Sequence, residues 1–65
     1  MTKIELGERI AAARKAQRIT IRQMADMAKT STRAVQAVEK ARYNVGIDTY
    51  IALAEALKLN ITINN

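Results

Sequence analysis

The chain has 65 residues, of which 49% are hydrophobic and only two, both tyrosines, are aromatic, so it has room for one domain with a mainly aliphatic core. It contains no cysteine and no histidine, which excludes disulfides, thiolate metal sites, a cysteine nucleophile and the commonest general base. We therefore expect no enzyme, no metal site and no cofactor. No segment resembles a signal peptide or a membrane span, so we expect a cytoplasmic protein.

The charge is spread unevenly along the chain. Residues 9–42 hold nine basic and two acidic residues, a net charge of +7, whereas the rest holds two basic and four acidic residues, a net charge of −2. Such a basic segment indicates either a surface that binds a polyanion or a set of solvated helix faces, and charge alone favours neither.

Two capping boxes mark the starts of the first two predicted helices. Thr2 with Glu5, and Thr20 with Gln23, have the spacing at which each residue's side chain satisfies a backbone N–H of the other. We expect the first helix over about residues 3–17 and the second directly after Thr20.

Two more helices are predicted further along the chain. Ser31 is a good N-cap for a third helix over about residues 32–41, and Gly46 can cap a fourth, with Asp48 near its positive end. Apolar residues at helical spacing predict the buried face of each helix. They are Leu6, Ile10, Ala13, Ile21, Met24, Ala25, Ala28, Val35, Val38, Ile47, Tyr50 or Ile51, Ala54 and Leu57.

The end of the chain has a different pattern. Residues 60–64 alternate polar and apolar β-branched side chains, which is typical of a strand, and a lone strand has no partner in its own chain. We expect two chains to pair these strands across a twofold axis, with Ile61, Thr62 and Ile63 in the dimer interface. A frayed or extended tail is the alternative.

Residues 20–41 have the spacing of a helix-turn-helix, because two short helices meet there across about three residues. A purely structural helical hairpin has the same spacing. Further features in matching register are Arg14, Thr20, Met24-Ala25, Ser31, Val35, Val38, Glu39, Asp48-Thr49-Tyr50 and Leu53-Ala54-Glu55-Ala56-Leu57. With these features the chain resembles the lambdoid phage repressor and Cro family, which includes repressors of toxin–antitoxin modules, over roughly residues 6–61.

Three positions depart from the family's usual pattern. Ile21 stands where the family often has a glutamine that anchors phosphate, and Glu39-Lys40-Ala41 replaces a common Glu-Asn-Gly. Lys29 stands where the turn often has glycine, so we expect Lys29 to adopt a left-handed backbone conformation at a modest steric cost.

The resemblance implies a fold and a function. The expected fold is an all-α, compact four-helix domain of the repressor type over residues 1–65, with the helix-turn-helix at 20–41 and a short C-terminal strand at 60–64. The expected function is a sequence-specific regulator that binds double-stranded DNA, namely a repressor that occupies an inverted-repeat operator as a homodimer, with its third helix in the major groove.

The third helix supplies the predicted base contacts. If Val35 and Val38 are buried, the opposite face carries Arg33, Gln36, Ala37 and Lys40, with Thr32 at its edge. Arginine recognises guanine, glutamine recognises adenine and an alanine methyl can contact thymine. The resemblance implies base contacts from Thr32, Arg33 and Ala37, and the face argument adds Gln36. Ordinary solvated side chains are the alternative.

Phosphate contacts are expected at both ends of the helix-turn-helix. The candidates are Thr20, Arg22, Ser31, Lys40 and Arg42. The resemblance also implies a structural ion pair between Arg14 and Glu39, and we do not count Glu39 as a DNA contact.

Two other functions stay open at this point. One is an antitoxin-type repressor that also binds a toxin or another protein partner through its fourth helix or its C-terminal end. The other is a protein-interaction module that has kept the fold without specific DNA binding. A basic membrane-binding helix fits less well, because the basic residues are spread over capped helices that need one another to form a core.

Overall fold

The computed structural model describes residues 2–40 and 45–59, which form four α-helices. They are α1 (Lys3–Ala16), α2 (Ile21–Met27), α3 (Thr32–Lys40) and α4 (Ile47–Ala56). No strand occurs in these two ranges. The predicted all-α fold of four helices is therefore confirmed, and the strand predicted at residues 60–64 lies outside the described residues.

The predicted caps start the first three helices, but at α1 the capping box is incomplete: the Glu5 N–H donates to the Thr2 hydroxyl, and the Glu5 carboxylate accepts from that hydroxyl instead of from the Thr2 N–H. At α2 the capping box is complete: the Gln23 N–H donates to the Thr20 hydroxyl over 3.0 Å, and the Thr20 N–H donates to the Gln23 side chain over 2.8 Å. The Ser31 hydroxyl accepts from the Ala34 N–H over 3.0 Å at the start of α3. Both short helices of the helix-turn-helix are thus started by side chains within three residues.

Three helices end in the same type of backbone turn. α1, α2 and α4 are each followed by a residue in the left-handed region, namely Arg18 (φ 56°), Lys29 (φ 55°) and Lys58 (φ 58°). The next N–H then donates back to a carbonyl of the helix, as in the Schellman motif. These bonds run from Ile19 to Arg14 (3.0 Å), from Thr30 to Ala25 (2.9 Å) and from Leu59 to Ala54 (2.9 Å).

The left-handed conformation expected for Lys29 is therefore present, and the same conformation at Arg18 and Lys58 was not predicted. At both of these ends the residue after the cation, Ile19 or Leu59, packs against the core. The sequence does contain a local pattern that could have indicated these helix ends: a basic residue followed directly by an apolar residue.

The core is aliphatic apart from one tyrosine, and most of it was predicted. Its main cluster consists of Leu6, Ile10, Met24, Ala25, Val35, Val38, Tyr50, Leu53 and Leu57. In α4 the buried stripe is formed by Tyr50 and by residues three, four and seven positions after it, so Leu53 is buried and Ile51 only half-buried. The prediction that Ile47 is buried was wrong: it is 39% exposed, because it lies in the first turn, beyond the edge of the core.

At Gly7 the backbone of α1 lies very close to the backbone of α3. Gly7 is buried inside α1, and a β-carbon at this position would collide with the backbone carbonyl oxygen of Val38. A glycine inside a helix costs about 1 kcal/mol relative to alanine. Here it allows α3 to lie directly against the backbone of α1.

Replacing Gly7 by alanine should lower the free energy of unfolding by about 1–3 kcal/mol, because α1 and α3 must move apart to admit the β-carbon. Denaturant unfolding monitored by circular dichroism measures the change. Ala12→Gly, at an exposed position of α1, is the control and should cost about 1 kcal/mol through helix propensity alone. If Gly7→Ala instead stabilises the protein, the close approach is misjudged.

Replacing Lys29 by glycine should raise the free energy of unfolding by about 1 kcal/mol, because glycine adopts positive φ without a steric penalty. Lys15→Gly makes the same chemical change at an exposed position within α1 and should have the opposite sign. Thermal melting of both variants checks the prediction, and a lower melting temperature for Lys29→Gly would contradict it.

Candidate nucleic-acid interface

One face of α3 carries a row of exposed polar side chains. Thr32, Arg33, Gln36 and Lys40 are all exposed, whereas Val35 and Val38 on the other side are fully buried. At 3.6 residues per turn the four exposed residues fall within about 100° of the helix circumference. α3 thus presents one continuous polar face, about 13 Å long for its nine residues.

Ala37 does not belong to this face. The structure buries it, with 3% of its surface exposed. Ala37 lies about 40° past Arg33 around the helix, which is enough to turn its methyl group from the exposed face towards the packed side. The prediction that Ala37 lies on the exposed face was therefore wrong, and its methyl group has almost no accessible surface to offer a thymine.

Hydroxyl groups flank this face at the starts of two helices. Thr20 and Ser31 are exposed, and their oxygens accept the capping bonds from the backbone of α2 and α3. A hydroxyl that accepts a hydrogen bond still carries a proton to donate. The caps therefore hold two hydroxyl groups in fixed positions without using their donor capacity.

Exposed cations accompany these hydroxyls. Arg22 in the first turn of α2 and Lys40 at the end of α3 both face solvent. Arg42, the remaining predicted phosphate contact, lies outside the described residues, as do Ile61, Thr62 and Ile63 of the predicted dimer interface.

A buried arginine joins three elements behind the interface. Arg14 is 9% exposed; its Nε donates to Glu39 Oε2 over 2.6 Å and its Nη2 donates to Glu39 Oε1 over 3.1 Å. Its Nη1 donates to the backbone carbonyl of Ile19 over 2.7 Å. The ion pair implied by the resemblance is thus present as a two-bond fork. It ties the end of α1 to the end of α3 and to the segment that leads into α2.

A second link joins the C-terminal ends of α1 and α4. The Gln17 side-chain amide donates to the carbonyl oxygen of Leu57 over 3.1 Å. The residues that follow these two partners are Arg18 and Lys58, both exposed and both in the left-handed conformation. Sequence reasoning did not single out this pair of cations, because the contact that brings them together spans forty residues of the chain.

The first turn of α1 is tied to α4 in a similar way. Lys3 Nζ donates to the carbonyl oxygen of Val45 over 2.8 Å and lies 5.8 Å from the centre of the Tyr50 ring. Lys3 therefore helps to hold the N-terminal end of α1, which is the end remote from Arg14, against the start of α4.

Two features are absent from residues 2–40 and 45–59. No group of three or more histidine, cysteine or acidic side chains in these ranges is placed to hold a metal ion. Nor is any helix there long and apolar enough to cross a membrane.

Comparison with known proteins gives one match. A family model described as helix-turn-helix matches residues 10–64, which is most of the chain. The matched region includes α2, α3, α4 and the C-terminal half of α1. No curated protein and no solved structure matches the chain significantly.

Replacing Glu39 by glutamine should lower the free energy of unfolding by about 3 kcal/mol, because it leaves the buried Arg14 guanidinium without its counter-charge. Urea unfolding provides the measurement. Glu8→Gln removes an exposed carboxylate from α1 and should change stability by less than about 0.5 kcal/mol. Equal effects of the two substitutions would contradict a structural role for the ion pair.

Proposed function

The chain belongs to the helix-turn-helix family of the Cro/C1 type, whose members are DNA-binding transcription regulators, and we propose that this one is a repressor that reads its operator through α3. The observation that carries the proposal is the single exposed polar face of α3. An α-helix with its side chains is about 10–12 Å across, so α3 fits the major groove, which is about 12 Å wide and displays a distinct pattern of donors and acceptors for each base pair.

Three side chains on this face are suited to base recognition. Arg33 donates two hydrogen bonds to the O6 and N7 atoms of a guanine, and Gln36 pairs with the N6 and N7 atoms of an adenine. Thr32, in the first turn of α3, supplies a hydroxyl that both donates and accepts. Each good bidentate contact discriminates against a wrong base by about 1–3 kcal/mol.

The flanking groups hold α3 in the groove by contacting phosphates. Thr20 and Arg22 contact one strand at the start of α2, and Ser31 and Lys40 contact the other strand. Arg42 completes this set as the sequence predicts. Such contacts fix the docking angle and make the affinity fall with salt, since each neutralised phosphate releases counterions.

The protein binds an inverted repeat as a homodimer. One module of this size buries too little surface for tight specific binding, whereas two modules contact half-sites about one helical turn, roughly 34–36 Å, apart. Pairing of the strand at residues 60–64, through Ile61, Thr62 and Ile63, would join the two chains and set this spacing.

Arg33→Ala should relax the preference at one base pair of each half-site and weaken binding to the selected operator by about 1–3 kcal/mol. The operator is first obtained by selection from random duplex DNA, and affinities are then measured for every single-base variant. The selected sequence should itself be an inverted repeat, and a site without twofold symmetry would count against the homodimer.

Lys40→Ala is the matched control, because it removes a cation from the same face without removing a base contact. It should weaken binding to all sequences by the same factor and lower the salt dependence by about one ion. If Arg33→Ala behaves like Lys40→Ala, α3 binds DNA without reading bases through Arg33.

A further inference from the structure

The positions with positive φ are occupied in an unusual way. Among the described residues, the three with φ in the left-handed region are Arg18, Lys29 and Lys58, and neither glycine is used there. Glycine adopts this conformation freely, whereas a β-carbon makes it costly. A side chain that breaks a local rule without a gain in packing points to a role at the surface.

Two of these cations directly follow residues that are joined by a hydrogen bond, and the third follows α2. Gln17 and Leu57 are joined by a hydrogen bond of 3.1 Å, and each is directly followed by one of the exposed cations Arg18 and Lys58. Lys29 follows the C-terminal end of α2, at the joint with α3. Arg18 and Lys58 therefore form a small basic patch, which we call the α1–α4 patch.

The α1–α4 patch adjoins the edge of the interface where α2 begins. Arg18 precedes the capping residue Thr20 by two positions, and the carbonyl of Ile19 between them is held by Arg14. Arg14 also holds Glu39, the neighbour of Lys40 at the end of α3. These bonds fix the α1–α4 patch relative to the polar face of α3, although no residue of the patch is on α3.

We propose that the α1–α4 patch is a second phosphate-binding site, which holds the backbone of duplex DNA beside the base pairs that α3 contacts. The inference rests on the proposed function. Both side chains are exposed cations, and a phosphate backbone is the polyanion that a DNA-binding domain meets at its edge. Contacts of this kind add affinity without adding sequence preference.

A competing explanation is purely local. Cations at the C-terminal ends of helices interact favourably with the helix dipole, and all three left-handed residues have this location. Lys29 shares the charge, the backbone conformation and the helix-end location of the patch residues but lies outside the patch. Its substitution therefore separates a local effect from a DNA contact.

The experiment compares Arg18→Gly, Lys58→Gly, the double variant and the control Lys29→Gly. Each is tested for thermal stability and for binding to a random-sequence 30-base-pair duplex between about 50 and 200 mM salt. The strain argument predicts that every glycine variant melts at or above the temperature of the wild type, so any loss of binding has a cause other than unfolding.

Each lost phosphate contact should lower the salt dependence by about one ion, which corresponds to about threefold in affinity over this range of salt. At the lower salt concentration the double variant should therefore bind more weakly than the wild type. Raising the salt to the higher concentration should then reduce its affinity by a factor about tenfold smaller than the factor for the wild type. Lys29→Gly should retain the wild-type salt dependence.

Two results would overturn the proposal. One is unchanged binding by the double variant, and the other is an equal loss in Lys29→Gly, which would reduce the effect to net charge. Failure of the proposed function looks different, because the wild-type protein itself would then bind neither this duplex nor a selected operator.

Discussion

The buried guanidinium of Arg14 is the constraint on which the arrangement of the helices depends. A cation removed from water is costly unless its hydrogen-bonding groups are satisfied, and here Glu39 and the carbonyl of Ile19 satisfy three of its nitrogens. Those partners belong to the end of α3 and to the segment before α2. Moving either element would leave a buried charge without a partner, so the pair fixes orientation more than it adds stability.

The turns after α1, α2 and α4 both end the helix and place a cation at the surface. The chain has two glycines and no proline, yet α1, α2 and α4 all end in turns that glycine would normally make. At two of the three turns the residue after the cation, Ile19 or Leu59, makes the apolar contact with the core, while the cation itself is exposed. A short domain can in this way place positive charge on its surface without lengthening a helix.

The two sides of α3 have opposite requirements. Its packed side must lie against α1, where Gly7 leaves space only for the backbone near Val38. Its other side stays polar and exposed from Thr32 to Lys40. Because the helix cannot rotate without opening the contact at Gly7 or breaking the ion pair at Glu39, the residues that face solvent are fixed by packing on the opposite side.

The sequence by itself determined the features that depend on neighbouring residues. Capping by Thr20 and Ser31 involves contacts within a few positions, so local chemistry was sufficient to predict it, whereas the left-handed turn at Lys29 was expected from the family resemblance. Only the tertiary structure decided that Ala37 is buried and Ile47 exposed, because the limits of a helix's buried face depend on how far its neighbours reach. The α1–α4 patch likewise could not be predicted from the sequence, since the ends of α1 and α4 meet only when distant segments of the chain pack together.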